Sequence, residues 1–264
     1  MRSVFSGPGL STISEHLDAL TEAVSHDVLF ASWVAHNVHA HKTPGYAIVT
    51  VSVKTTGFPP GDVSADQMRA LADLADHYSF GEVRISHEQN VILADVEQTQ
   101  LYALWQSLRA QRLGTANLGL LTDIICCPGG DFCALANAKS IPIAEAIQRR
   151  FDDPQRLQDI GALSVNISGC MNACGHHHVG NIGILGVDKK GEEFYQISLG
   201  GAADHDAALG QIVGPSFAQE DVPEVIDKIL TVYTQQRLAG ERFIDTFNRV
   251  GIDPFKEAVY GSPH

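Results

Sequence analysis

The chain has 264 residues, with 18 Lys+Arg against 31 Asp+Glu and a formal net charge of −13. That length accommodates one large domain or two small ones, with enough chain to bury a core without disulfide staples. The acidic balance argues against a nucleic-acid partner, which demands a basic surplus, while leaving room for a local basic pocket around a small anion.

A hydrophobic content of 44% and a charged content of 19% fit a folded globular chain. No apolar run approaches the ~18–20 residues of a membrane span, and the first residues lack a signal-peptide core. No membrane partner and a cytoplasmic location are therefore expected. In that reducing setting the five cysteines are read as ligands or nucleophiles rather than disulfide partners.

The opening segment reads as one helix. Thr12 and Glu15 are spaced as a capping box, and Leu17, Leu20, Val24, Val28, Trp33 and Val34 recur at near-helical intervals. The pattern fades by His39, and Pro44-Gly45 stops it. Residues 46–54 alternate Ile48, Thr50, Ser52 and Lys54 with Val49, Val51 and Val53, which predicts a strand with one face buried. After a Gly/Pro turn, residues 64–78 predict an amphipathic helix. Ser64 and Gln67 form its capping box, and Met68, Leu71, Leu74 and Ala75 its inner face. Short strands at 82–86 and 90–94, joined by His87-Glu88-Gln89, precede a helix over 97–112. Strand, helix, hairpin, helix is most of a ferredoxin-like α+β unit.

The second half has a different texture. Residues 118–133 turn from apolar to cysteine- and glycine-rich. A helix is expected over 134–150 despite Pro142, and strands at 163–168, 181–187 and 193–199. Helices follow at 221–237 and 241–249. The fold class expected is α+β, a ferredoxin-like subdomain followed by a mixed α/β domain. The divisions are 1–43 (N-terminal helix and linker), 44–116 and 117–264. Trp33, Trp105 and Phe132 are read as core.

Four cysteines fall into two pairs. Cys127 and Cys133 are spaced C-x5-C in CCPGGDFC, and Cys170 and Cys174 C-x3-C in SGCMNACG. Glycines beside thiolates let backbone N–H groups approach an inorganic cluster and offset its negative charge. Four thiolates complete a 4Fe–4S cubane. Structural zinc also takes four cysteines, but its pairs are usually tighter, C-x2–4-C. Four buried free thiols are the third reading. Cys126 could replace Cys127 in a C-x6-C arrangement.

The segments CCPGGDFCALANAKSIPIAEAI and NISGCMNACGHHHVGNIGILG resemble the sirohaem and 4Fe–4S signature of nitrite and sulfite reductases. The likeness is closest to the C-terminal half of assimilatory sulfite reductase haemoproteins. Upstream, PGYAIVTVSVK and FGEVRISHEQNVILADV resemble that family's ferredoxin-like half-domain, making 117–264 the sirohaem/4Fe–4S-binding domain. Carried over by position, Cys127, Cys133 and Cys170 hold the cluster, and Cys174 ligates both cluster and sirohaem iron. The implied reaction is six-electron reduction of sulfite to sulfide, or of nitrite to ammonia. A cofactor-holding module that needs a partner to turn over is the alternative. Family enzymes are about twice this length, and their first half supplies the Arg and Lys cluster that clamps the anion. The resemblance thus implies a partner, an N-terminal half or a second chain, or else a small reductase working alone. No G-x-G-x-x-G is present, so electrons would come from a separate flavoprotein or ferredoxin.

Further residues each carry a plain alternative. Asn172, between the second cysteine pair, is assigned by resemblance to the cofactor edge; a turn residue is the alternative. Gln89 and Asn90 resemble the family's QN pair near the cofactors, and a hairpin turn also explains them. Lys139 could neutralise a sirohaem carboxylate or stand solvated. One of His176, His177 and His178 could face the macrocycle or move protons.

Overall fold

The computed structural model describes residues 20–205 and 207–261. The chain separates into two compact units, one formed by residues up to Thr55 with Gly61–Leu118, the other by Thr56–Pro60 with the chain from Gly119 onward.

The first unit is a four-stranded antiparallel sheet with helices. Its elements are α1 (Val28–Asn37), β1 (Val38–Ala40), β2 (Tyr46–Val51), α2 (Ala65–Tyr78), β3 (Arg84–Ile85), β4 (Val91–Glu97) and α3 (Leu101–Ala110). The strand order is β1-β2-β4-β3. The ferredoxin-like pattern is present, but the outer position beside β2 is filled by β1, which follows directly on α1 and had no strand signal of its own. Phe30, Trp33, Val49, Val51, Leu93, Leu104 and Trp105 pack the core.

Several expectations are corrected here. The opening helix is broken. Residues 20–26 are helical, and Asp27 then starts α1 anew, its Oδ1 accepting the N–H groups of Leu29 and Phe30. The Thr12–Glu15 box lies outside the described residues. The alternation over 46–54 does not leave a wet face, since Thr50, Ser52 and Lys54 are all buried. Polar partners make that tolerable. Asn37 Nδ2 donates to Thr50 O, Lys54 Nζ donates to Glu88 O at 2.5 Å, and Asn117 Nδ2 donates to Lys54 O. On α2 the Ser64–Gln67 capping box is formed, and Leu71 and Ala75 are buried. Met68, expected inside, is 62% exposed.

The second unit is a five-stranded mixed sheet in the order β5-β6-β7-β8-β9. The strands are β5 (Ile125–Cys126), β6 (Val165–Ser168), β7 (Ile182–Lys189), β8 (Glu192–Leu199) and β9 (Gln211–Ile212). The pairs β5–β6 and β6–β7 are parallel; β7–β8 and β8–β9 are antiparallel. Between β5 and β6 run α4 (Gly129–Phe132), α5 (Ile141–Arg150) and α6 (Pro154–Ile160). The helix expected over 134–150 is therefore shorter. Pro142 belongs to its first turn, where a missing N–H costs nothing, and residues 134–140 are irregular. The C-terminal helices are α7 (Val222–Gln236), α8 (Phe243–Val250) and α9 (Asp253–Tyr260). Ile143, Ile147, Val165, Ile167, Ile184, Ile226, Ile229 and Phe243 belong to one core. Among the described residues no helix is long and apolar enough to cross a membrane.

Candidate cofactor site

Both cysteine loops leave the carboxyl ends of adjacent parallel strands. Cys127 follows β5 and Cys170 follows β6, with Cys126 in register with Ile167. Such strand ends are where open α/β sheets present ligands.

The loops are stitched together by backbone. Gly169 N–H donates to Cys127 Sγ at 3.1 Å. The N–H groups of Asn137 and Ala138 both donate to Gly169 O, and Gly130 N–H donates to Ala138 O. Glycine is required at this seam. A Cβ on Gly169 would stand 2.6 Å from Ala138 O and 2.9 Å from Gly129 Cα.

The thiols differ in exposure. Cys127 and Cys170 are buried, Cys133 is intermediate and Cys174 is exposed. Two successive turns throw Cys174 outward, Ala173 N–H donating to Cys170 O and His176 N–H to Ala173 O. Ala173 and His176 both hold left-handed backbone, φ 55° and 54°, a strain that persists only where its surroundings impose it. Gly175 and Asn166 impose it. Gly175 N–H donates to Ser168 Oγ, and Asn166 Nδ2 donates to the carbonyls of Gly175 and His176.

The adjacent thiols have different surroundings. Cys126 is buried within the core and donates to Cys127 O. Cys127 Sγ faces the glycine seam, with Ser140 Oγ 3.3 Å away. Ser140 was missed in the sequence because the helix expected over 134–150 placed it inside an element, where nothing local marks a serine as facing a sulfur.

On the same two loops, beside Cys133 and Cys170 in the sequence, Phe132, Leu135 and Met171 are 77%, 72% and 82% exposed. Phe132, expected in the core, is thus at the surface, on the short α4 that carries it away from the sheet. Asn172 is exposed in the same loop. Lys139 is exposed, its Nζ 3.7 Å from Asp131 Oδ1. Its backbone is clasped by β8. Lys139 N–H donates to Glu193 Oε2, and Tyr195 Oη lies 2.8 Å from Lys139 O. Burial, then the Glu193 charge, pushes the Tyr195 phenol well above its ordinary pKa, so it stays a donor.

His177 is buried, while His176 and His178 are exposed. Nδ1 of His177 has no hydrogen-bond partner. Desolvation, with the His178 ring 3.9 Å away, lowers the His177 pKa to about 4. It is neutral at pH 7.

Gln89 and Asn90 belong to the other unit. Gln89 takes left-handed backbone at φ 60°, as the tight turn demands. Asn90 is buried and works within the hairpin, Ser86 N–H donating to its carbonyl and Val53 N–H to its Oδ1.

Among the described residues no three His, Cys, Asp or Glu side chains form a group that could hold one metal ion. A cubane spreads its thiolates over separate irons, so its cysteines need not converge on one point. The donor set fits such a cluster: four thiols on two glycine-seamed loops, with a backbone N–H already on one sulfur.

Residues 120–263 match the model of the nitrite and sulphite reductase 4Fe-4S domain. The chain belongs to the nitrite and sulphite reductase family. Residues 39–111 match its ferredoxin-like half domain. The chain is 32% identical over 201 residues to a ferredoxin–nitrite reductase of Synechococcus elongatus, covering 73% of this chain and 37% of that protein. It is 26% identical over 206 residues to sulfite reductase [ferredoxin] 2 of Mycolicibacterium paratuberculosis, covering 74% and 37%. Among solved structures, Mycobacterium tuberculosis NirA aligns with TM-score 0.69 at 25% identity, covering 83% of this chain and 41% of that one. A dissimilatory sulfite reductase I chain aligns with TM-score 0.67 over 98% of this chain and 83% of that one; at 14% identity it speaks for the fold alone. The chain spans little more than a third of the length of the curated relatives it matches. The cofactors expected from the sequence, a 4Fe–4S cluster and sirohaem, are those of this family.

Proposed function

We propose that this chain holds a 4Fe–4S cluster on Cys127, Cys133, Cys170 and Cys174 and, through Cys174, a sirohaem at which sulfite is reduced to sulfide by six electrons. The observation that carries this is the graded exposure of the four thiols. Cys127 and Cys170 lie within the seam, while Cys174 is thrown outward, where its sulfur can serve a second group. The macrocycle, when bound, supplies an iron that takes the substrate anion and electrons. The chain's own part is to bind and orient. Phe132, Leu135 and Met171 offer an apolar face to a flat ring, Asn172 stands beside it, and Lys139 supplies a cation for a ring carboxylate. Gln89 and Asn90 are the half-domain's candidate contacts, on resemblance alone.

Nitrite is the second reading, favoured by the names of relatives at 28–32% identity. Electrons would come from a ferredoxin or a flavoprotein, in a cytoplasmic setting that keeps the thiols reduced. We take residues 44–116 as the half-domain and 117–264 as the cofactor domain, with a partner half or second chain completing the anion clamp.

The test is anaerobic co-expression with sirohaem synthesis. About four irons in the cluster, a chlorin-type spectrum lost in Cys174→Ser, and viologen-driven turnover would support the reading. Turnover is compared for sulfite and nitrite, with and without a separately expressed N-terminal half. A folded protein that takes up neither cofactor would overturn it.

A further inference from the structure

We propose that the Ser140 hydroxyl donates a hydrogen bond to the Cys127 thiolate and thereby raises the reduction potential of the bound cluster. The proposal rests on Cys127 being a cluster ligand, as read above.

Ser140 stands immediately before α5, where a serine side chain ordinarily accepts an N–H of the first turn. Here it does not. Its backbone is already helical, φ −101° and ψ −39°, and its side chain makes no capping bond. The second helical residue, Pro142, has no N–H to offer. Yet Ser140 is 0% exposed, and a buried hydroxyl needs a partner. That partner is Cys127 Sγ, at 3.3 Å.

The surroundings are built around this hydroxyl. A Cβ on Gly129 would stand 2.4 Å from Ser140 N and 2.7 Å from its Oγ; one on Gly169 would stand 3.0 Å from the Oγ. Two glycines, one from each cysteine loop, leave the space that the hydroxyl occupies.

Ligation removes the thiol proton. A thiolate can only accept, so the hydroxyl must donate. With Gly169 N–H at 3.1 Å, Cys127 then receives two donors. Hydrogen bonds to cluster sulfurs are among the terms that set its potential. An added electron increases negative charge on the sulfurs, and donors favour the more negative form. Ser140 is a positioning residue in this sense. It touches neither substrate nor iron and acts through the Cys127 sulfur.

The experiment is an anaerobic redox titration of the cluster-loaded full chain, with dithionite as reductant, followed by electron paramagnetic resonance. Ser140→Ala should keep the wild-type iron and sulfide content. At a fixed potential near the midpoint its reduced-to-oxidised ratio should fall about tenfold, about 59 mV for one electron. An unchanged midpoint in a fully loaded variant overturns the proposal. Proton electron–nuclear double resonance on the wild-type chain gives a second reading, independent of whether the variant assembles. It should show a coupled proton that exchanges in deuterium oxide, beyond the one from Gly169 N–H. Absence of that second proton overturns the proposal too. A wild-type chain that takes up no cluster is a different failure, that of the functional reading itself. A loaded cluster indifferent to Ser140 defeats only the present inference.

Discussion

Gly175→Ala is the sharpest structural perturbation available at this site. A methyl there would sit 1.9 Å from Ile167 O and 2.8 Å from Ile167 C. Ile167 cannot retreat, because β6 is paired with β5 on one side and β7 on the other. The loop must therefore move, and it would weaken the Gly175 N–H bond to Ser168 Oγ and the Asn166 bond to Gly175 O. Overpacking costs about 1–3 kcal/mol, and such a contact with fixed backbone belongs at the upper end, ~3 kcal/mol. At about 2–4 °C per kcal/mol for a domain of this size, the melting midpoint should fall by roughly 6–12 °C. Because Cys174 is the adjacent residue, cluster content should drop as well. The assay is calorimetry of the apo chain, with iron and sulfide counts after reconstitution. Gly240→Ala is the control. It has φ +81° with nothing within 4 Å of the new Cβ, so it carries backbone strain without a clash. A Gly175→Ala protein as stable as that control would refute the claim that the seam is sterically closed.

Three further outcomes are expected. Cys126→Ala should cost ~1 kcal/mol of core packing and keep full iron content, whereas Cys127→Ala should lose the cluster; elemental analysis distinguishes them. His177, held near pKa 4 in the fold, gains its proton near pH 6.5 when unfolded. The unfolded state therefore binds more protons between those values, and stability falls as pH drops from about 6.5 towards 4. Chemical denaturation of the apo chain across that window should show the slope, and His177→Gln should flatten it. Lys54→Met removes the ammonium donor from Glu88 O and should destabilise the first unit by about 1.5–3 kcal/mol, the range for a hydrogen bond to a charged group. Hydrogen exchange at the 86–90 hairpin would report it.

Much of this architecture was legible because its signals were local. The Ser64–Gln67 box and the apolar spacing of Leu71 and Ala75 placed α2, and the strands expected at 181–187 and 193–199 placed β7 and β8. What escaped depended on distant partners. β1 is a three-residue strand whose existence rests on pairing with β2. Lys54 looked like a solvent residue until Glu88 and Asn117 were seen to cover it. Ser140 fell inside the helix expected over 134–150, and only the fold shows its hydroxyl directed at sulfur. The cysteine pairs were readable as a cofactor motif from spacing and glycines. The unequal burial of their thiols was not, because it follows from turns fixed by Asn166 and Ser168 on the strand beneath.

The seam between the two cysteine loops also sets an order of events. Cys127 and Gly169 meet across 42 residues of chain, and that meeting requires β5 to pair with β6 after α4, α5 and α6 have been laid between them. Parallel pairing of this kind is slow, since loop closure precedes its reward. Until it happens the thiols are separate and open to oxidation, which in cysteine can run past the point of repair. Iron delivered to the emerging chain would meet ligands without a pocket. The molecule is therefore one whose maturation must wait for its sheet, and its yield of cluster-loaded chain should depend on how long the newly made chain is kept from oxygen.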